Sequence, residues 1–124
     1  MRFAEHPPSS PYQQNLDRNE ANYAPLTPLS FLERTADVFP QRMAWIHGDQ
    51  RTSYTDFRKR CRQLASALAR RGVQPGDTVT VMAPNIPAAL EPHYGVSMAG
   101  AVLNALNIRL EADSIAYILD HSES

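Results

Sequence analysis

Three polar side chains close the stretch GAVLNALNIRL, residues 100–110: Asn104, Asn107 and Arg109. Polar groups in that position belong either to an active site or to its scaffolding. They follow small and branched apolar residues of the kind that make a buried strand. Ligands of open α/β sheets bind beyond the carboxyl ends of the strands, which is where these three belong if the strand is real. A plainer role competes: the asparagines satisfy loop backbone groups, and Arg109 pairs with a carboxylate near the start of the next helix. The residue types alone favour the plainer role.

His93 is the candidate base. At the helical repeat it projects with Ile86, Leu90 and Ser97 toward the apolar side of its segment. No Ser, Cys or carboxylate is assigned to it by spacing, so a histidine at the edge of the core, satisfied by one hydrogen bond, is the preferred reading. Lys59 is the sole lysine and falls at a surface position. Cys61 belongs to a packed apolar stripe and reads as an inert small hydrophobe. Arg58, Lys59, Arg60, Arg62, Arg70 and Arg71 offer a stripe for nucleic acid. They surround the apolar stripe without interleaved aromatics, however, and Asp56 is spaced to pair with Arg60 one turn on, so a solvated face is expected. The five glycines, at 48, 72, 76, 95 and 100, are scattered and form no phosphate-cradling loop.

The elements that must position these groups follow from punctuation and period. Residues 1–26 are rich in Pro, Asn, Gln and Ser and read as a flexible tail that becomes an extended arm. Thr27 and Pro28 open a short amphipathic helix carried by Leu29, Leu32, Ala36 and Phe39. Ala44 to Ile46, then Gly48-Asp49, predicts a hairpin. Ser53 and Asp56 have capping-box spacing before a helix whose apolar face is Phe57, Cys61, Leu64, Ala65 and Leu68, ending at Gly72. TVTVMA is a strand, Asn85 and Pro87 open a helix toward Gly100, and Pro92 predicts a kink or break near Glu91. AVLNAL is the next strand, and EADSIAYILDH a helix with Ile115, Ile118 and Leu119 inward. Strand, helix, strand, helix with short connections means an α/β fold with a parallel sheet.

At 124 residues the chain has the size of one domain. Twelve basic residues against thirteen acidic ones give no concentrated positive field for nucleic acid or an anionic membrane. One cysteine makes no internal disulfide, and no Cys/His cluster has metal-ligand spacing, so a reducing compartment is expected. The N-terminus lacks a secretory apolar region and no stretch reaches the length of a membrane span, so the chain reads as cytoplasmic and soluble.

Three stretches carry a resemblance: NYAPLTPLSFLERTADVFPQRMAWIHGDQRTSY, GVQPGDTVTVMAPNIPAAL and MAGAVLNALNIRLEADSIAYILDHSES. In order and without gaps, they resemble the N-terminal end of an AMP-forming acyl-CoA synthetase of the adenylate-forming superfamily, in the branch of short- and medium-chain ligases that includes 3-methylmercaptopropionyl-CoA ligases. The resemblance implies activation of a carboxylic acid with MgATP to an acyl-adenylate, followed by transfer to coenzyme A. It implies a fold that is a partial N-terminal subdomain of the large domain, with βαβ units and a parallel sheet behind a docking arm. On this reading residues 27–124 are the start of the AMP-binding domain, about a fifth to a quarter of a full-length ligase. The phosphate loop and the catalytic lysine of such ligases match nothing here; Lys59 is not that lysine. No catalytic, cofactor-binding or metal-binding role transfers onto His93, Asn104, Asn107 or Arg109. ATP, Mg2+, coenzyme A, the acid substrate and the remainder of the ligase chain are therefore expectations for the parent enzyme, and the 124 residues alone are expected to be catalytically silent. The rival expectations are a non-catalytic interaction module, or half of a split enzyme, whose open sheet edge needs a partner, and nucleic-acid binding by the basic helix.

Overall fold

The computed structural model describes residue 17, residues 19–21 and residues 23–124. The expected tail therefore lies largely outside the described residues. Before residue 28 those that are described form no helix or strand, only a turn in which the Tyr23 amide donates to the Asn19 carbonyl at 3.0 Å.

Helix α1 (Pro28–Val38) begins where the sequence says it must. Thr27 accepts from the Ser30 amide at 3.2 Å and the Ser30 hydroxyl accepts from the Thr27 amide at 3.1 Å, a reciprocal cap with proline in the first turn. The hairpin β1 (Met43–His47) and β2 (Gln50–Ser53) turns at Gly48, whose φ of 57° is cheap only for glycine. Helix α2 (Tyr54–Arg70) starts at Ser53, whose hydroxyl accepts from the Asp56 amide at 3.1 Å and donates to the Asp56 carboxylate at 2.7 Å. Asp56 is thus engaged with its own cap, one bond short of the full box because aspartate is too short to reach back to the Ser53 amide.

Strand β3 (Thr78–Met82), helix α3 (Pro87–Met98) and strand β4 (Val102–Leu106) form the βαβ unit, with β3 and β4 parallel in the register Thr78↔Val102 to Met82↔Leu106. The hairpin is a separate two-stranded sheet. Helix α4 (Ala112–His121) closes the chain, but Ile115, Ile118 and Leu119 are only half-buried and α4 buries no residue fully.

Two expectations about α3 are corrected, and the break allowed for at Pro92 does not occur. Asn85 does not cap it: the N-cap is Ile86, with no side-chain hydrogen bond. The helix does not break at Pro92. Proline in the second turn removes one backbone bond, an interior cost of about 3 kcal/mol, and the burial of Glu91, Pro92, Gly95 and Val96 holds the helix together over its whole length. The inward face is also not the one that hydropathy marked. His93 is exposed and Ile86 and Leu90 are each 38 % exposed, while the carboxylate of Glu91 points inward.

The core gathers Leu32 of α1 and Phe57 and Cys61 of α2, with Trp45, Tyr54, Tyr94 and Met98 packed around them. Phe57 and Tyr94 meet edge to face, ring centroids 5.3 Å apart and planes at 83°. Helix α3 packs tightly against α2 at Gly95, which lies against Leu64 and the Cys61 carbonyl. The chain then leaves α3 through Gly100, whose φ of 78° permits the Ala101 amide to reach back to the Val96 carbonyl at 3.2 Å.

Candidate functional site

Because β3 and β4 are parallel and their last pair is Met82↔Leu106, the loops that follow them leave the sheet side by side. Ala83, Pro84 and Asn85 on one side and Asn107, Ile108 and Arg109 on the other line an open cavity of about 380 Å3. This is the crevice that the parallel topology predicts for a ligand. A smaller, more enclosed cavity of about 170 Å3 continues from it beneath Ala83, Asn85 and Leu106, walled by Val81, Ala89, Pro92, His93 and Leu103. A third, of about 310 Å3, lies between β1 and the start of α3 and shares Asn85, Ala89 and His93 with the second. It also meets Trp45, whose indole N–H is buried without an acceptor among the described residues.

The polar residues singled out in the sequence divide in this frame. Asn104 does not reach the crevice. It sits within β4, and its amide donates to the Thr80 hydroxyl at 3.0 Å and to the Ser122 hydroxyl at 2.9 Å, tying β3 and the end of α4 to the strand. That is neither of the expected roles, because the strand runs two residues beyond Asn104 and keeps it out of the loop. Asn107 does satisfy the loop backbone, its side-chain oxygen accepting from the Arg109 amide at 3.0 Å. Arg109 lacks the carboxylate expected for it: it is exposed and, among the described residues, its guanidinium has no ion pair or hydrogen bond. His93 lines two of the three cavities, with Nδ1 3.0 Å from the Ala89 carbonyl. The single hydrogen bond is as expected, although at the surface rather than at the core edge.

The basic helix is also different from a merely solvated face. Arg62 donates to both carboxylate oxygens of Glu33, at 3.0 and 2.6 Å, and Arg58 bridges Glu33 and Asp37, so α1 neutralises two of the arginines. Asp37 first, then Glu33, holds the Arg58 guanidinium above its ordinary value. Arg60 does not pair with Asp56 but makes a two-pronged ion pair with Glu91 of α3, which raises the guanidinium above its ordinary value. Lys59 is exposed on an open groove of about 570 Å3 along the outer side of α2, away from the crevice.

Cys61 is completely buried, and burial pushes its thiol up to about 12 from 9.0, with Glu91 adding to the effect. The thiol is therefore protonated in the folded protein at neutral pH and is not a nucleophile. Iodoacetamide is expected to leave Cys61 unmodified in the native protein and to label it in denaturant; mass spectrometry checks both. The unfolded chain releases this proton near 9.0 and the folded chain only near 12, so folding stability contributed by the thiol is intact below pH 9 and declines as pH rises toward 12.

Among the described residues no group of three or more His, Cys, Asp or Glu is placed to hold a metal ion, and no helix is long and apolar enough to cross a membrane. The crevice supplies donors for an anion and a small apolar recess, without a nucleophile–base pair.

The family model for AMP-binding enzymes matches residues 32–124. The peroxisomal acetate/butyrate–CoA ligase of Arabidopsis thaliana is 53% identical over 110 residues, which cover 89% of this chain and 19% of that ligase. A fatty acyl CoA synthetase of Mycobacterium tuberculosis superposes with a TM-score of 0.72 at 31% identity, over 77% of this chain and 19% of that one. The N-terminal subdomain of NpsA from Klebsiella oxytoca superposes with a TM-score of 0.73 over 78% of this chain and 26% of that one; at 21% identity this is a likeness of fold. The chain spans about a fifth of the length of the curated relatives it matches.

Proposed function

This chain belongs to the AMP-binding enzyme family, and from that premise we propose that it is the N-terminal part of an acid–CoA ligase. In the reaction proposed for the whole protein, a carboxylate oxygen attacks the α-phosphate of ATP and pyrophosphate leaves. The thiol of coenzyme A then attacks the acyl carbon of the acyl-adenylate, and AMP leaves with the bonding pair. The observation that carries this reading is the long, half-identical stretch shared with the Arabidopsis acetate/butyrate–CoA ligase. A short- or medium-chain acid is the proposed substrate, and 3-methylmercaptopropionate is among the acids of that size.

In that scheme residues 27–124 supply scaffold and one wall of the crevice rather than the reacting groups. Adenylation needs donors along the triphosphate and a cation to neutralise it. The described residues offer Arg109 and the crevice amides for the first and no ligand cluster for the second. The 124 residues alone are proposed to be inactive, and residues 1–26 to be a docking arm. The cytoplasmic setting remains a proposal and stands against the peroxisomal address in the Arabidopsis name. A fluorescent fusion of the whole protein distinguishes the two.

The test is acid-dependent exchange of labelled pyrophosphate into ATP by the full-length protein, with acetate, butyrate, 3-methylmercaptopropionate and a long-chain acid offered in turn. Exchange with one of the shorter acids, followed by thioester formation on adding coenzyme A, is expected. Absence of exchange with every acid overturns the ligase reading, and preference for the long-chain acid overturns the proposed size class.

A further inference from the structure

We propose that the outer face of α2 is a docking surface for the outer face of α4 on a second copy of this chain, so that the protein associates head to tail through opposite charges. The contact involves neither the crevice nor the ligase chemistry. The groove along the outer side of α2 carries Arg58, Lys59, Arg62 and Arg70, with Gln63 and Ser66 between them, and no acidic residue lines it. Arg58 and Arg62 are already held by Glu33 and Asp37 of α1. Lys59, by contrast, has no hydrogen bond or ion pair among the described residues, and Arg70 reaches only the Ser66 hydroxyl, at 2.8 Å. The uncompensated positive charge of the groove is therefore at Lys59 and Arg70, three helical turns or about 16 Å apart.

Helix α4 presents the complement. Ile115, Ile118 and Leu119 are its half-buried side, and the opposite side carries Asp113, Tyr117 and Asp120 in one continuous stripe. Glu111 and Glu123, both exposed, extend the negative charge past either end, and no lysine or arginine lies on α4. Neither aspartate side chain has a hydrogen bond or ion pair among the described residues. Tyr117 stands 67% exposed at the centre of the stripe, backed by the stacked ring of His121 with centroids 5.6 Å apart. An exposed tyrosine flanked by unpaired charge is the make-up of a small interface, an aromatic centre inside a polar rim.

The two stripes match in sign and layout. Asp113 and Asp120 are about 10 Å apart along α4, inside the span of Lys59 and Arg70, whose long stems lean inward to meet them. Tyr117, midway between, then falls over Gln63 and Ser66, which offer hydrogen-bonding partners for the phenol. Both faces are exposed in the chain, so the contact joins different molecules. Because unlike surfaces meet, each copy keeps one of each for the next, and copies add on as rings or chains. Duplex nucleic acid fits the groove less well: its charge is continuous, whereas Glu33 and Asp37 lie beside the cations.

The experiment is sedimentation velocity of the full-length protein over a concentration series, at about 0.01 M and about 1 M salt, where the screening lengths are about 30 and 3 Å. Mass that grows with concentration at low salt, and does not at high salt, is expected. Lys59→Glu with Arg70→Glu, and separately Asp113→Lys with Asp120→Lys, are each expected to weaken association at least tenfold, because like charges then face each other. Mixing the two variants restores it, since every altered face again meets its opposite. All four sites are exposed, and Lys59→Gln with Arg70→Gln is the milder arm if a thermal melt shows that reversal costs the fold. A mass that changes with neither concentration nor salt overturns the contact, and pyrophosphate exchange by that protein leaves the ligase reading standing. Association that survives in both variants, or that the mixture fails to restore, overturns it as well. So does a wild type that stays unassociated and captures duplex DNA through α2 instead.

Discussion

Replacing Gly95 by alanine is expected to destabilise the protein, although Gly→Ala in a helix interior ordinarily stabilises by up to about 1 kcal/mol. A Cβ at this position would lie 2.8 Å from Leu64 Cδ2, 2.9 Å from Leu64 Cβ and 3.0 Å from the Cys61 carbonyl oxygen. The first contact involves the tip of a side chain and can rotate away; the other two involve atoms fixed to the backbone of α2. Helices α2 and α3 must therefore separate, which loosens Cys61 and Val96, the fully buried side chains at the centre. Overpacking of this kind costs about 1–3 kcal/mol, so after the helix-propensity gain of about 1 kcal/mol the net loss expected for Gly95→Ala is up to about 2 kcal/mol, and Gly95→Leu is expected to lose more. Denaturant unfolding of the full chain checks the order wild type, alanine, leucine. A second arm identifies the cause: in a Leu64→Ala background part of the obstruction is gone, and Gly95→Ala should then cost less or turn stabilising. An alanine variant more stable than wild type in both backgrounds would mean that the helices are not in close contact here.

That glycine illustrates what the sequence conveys and what it hides. In the sequence Gly95 is one of five scattered glycines, because no local pattern distinguishes a glycine needed by a neighbouring helix from one that merely ends a turn. Gly48 and Gly100, by contrast, follow segments whose period has just run out, and their positive φ is what such positions require. The locally encoded features were legible: the Thr27 cap, the hairpin, the Ser53 start of α2 and the alternation that leads to parallel β3 and β4. Each depends on residues within a few positions of one another.

The misread features are those settled by distant partners. Hydropathy assigned the inward face of α3 to Ile86, Leu90 and His93, because a carboxylate is normally the outward residue. Glu91 turns inward since Arg60, 31 positions away, neutralises it. The same pairing removed Arg60 from Asp56, whose carboxylate is taken by Ser53. In the crevice the strand's length decided the outcome: β4 reaches Leu106, so Asn104 became a cross-strand tie, and only Asn107 and Arg109 emerge into the loop. The position of the crevice is foreseeable from topology, whereas Asn85 in its lining is not, because an asparagine two residues before Pro87 reads as a helix start.

Arg60→Ala is expected to destabilise the protein more than Glu91→Gln, even though both break the same ion pair. The two partners sit in unlike surroundings: the Arg60 side chain is 54% exposed and that of Glu91 only 10%. Removing Glu91's charge releases a guanidinium that water already reaches, and the loss is of the order seen for partly solvated pairs, about 1 kcal/mol. Removing Arg60 strands a carboxylate between α2 and α3. A buried pair broken in this way loses about 3–5 kcal/mol; solvent screening at the arginine end brings the expected figure to about 3 kcal/mol. A paired replacement, Arg60→Met with Glu91→Leu, removes both charges and should recover most of the loss, since no polar group is left unsatisfied. Denaturant unfolding of the two single variants and the paired variant at neutral pH settles the matter. Equal losses for the two single variants would mean that the Glu91 carboxylate is reached by water as readily as the Arg60 guanidinium.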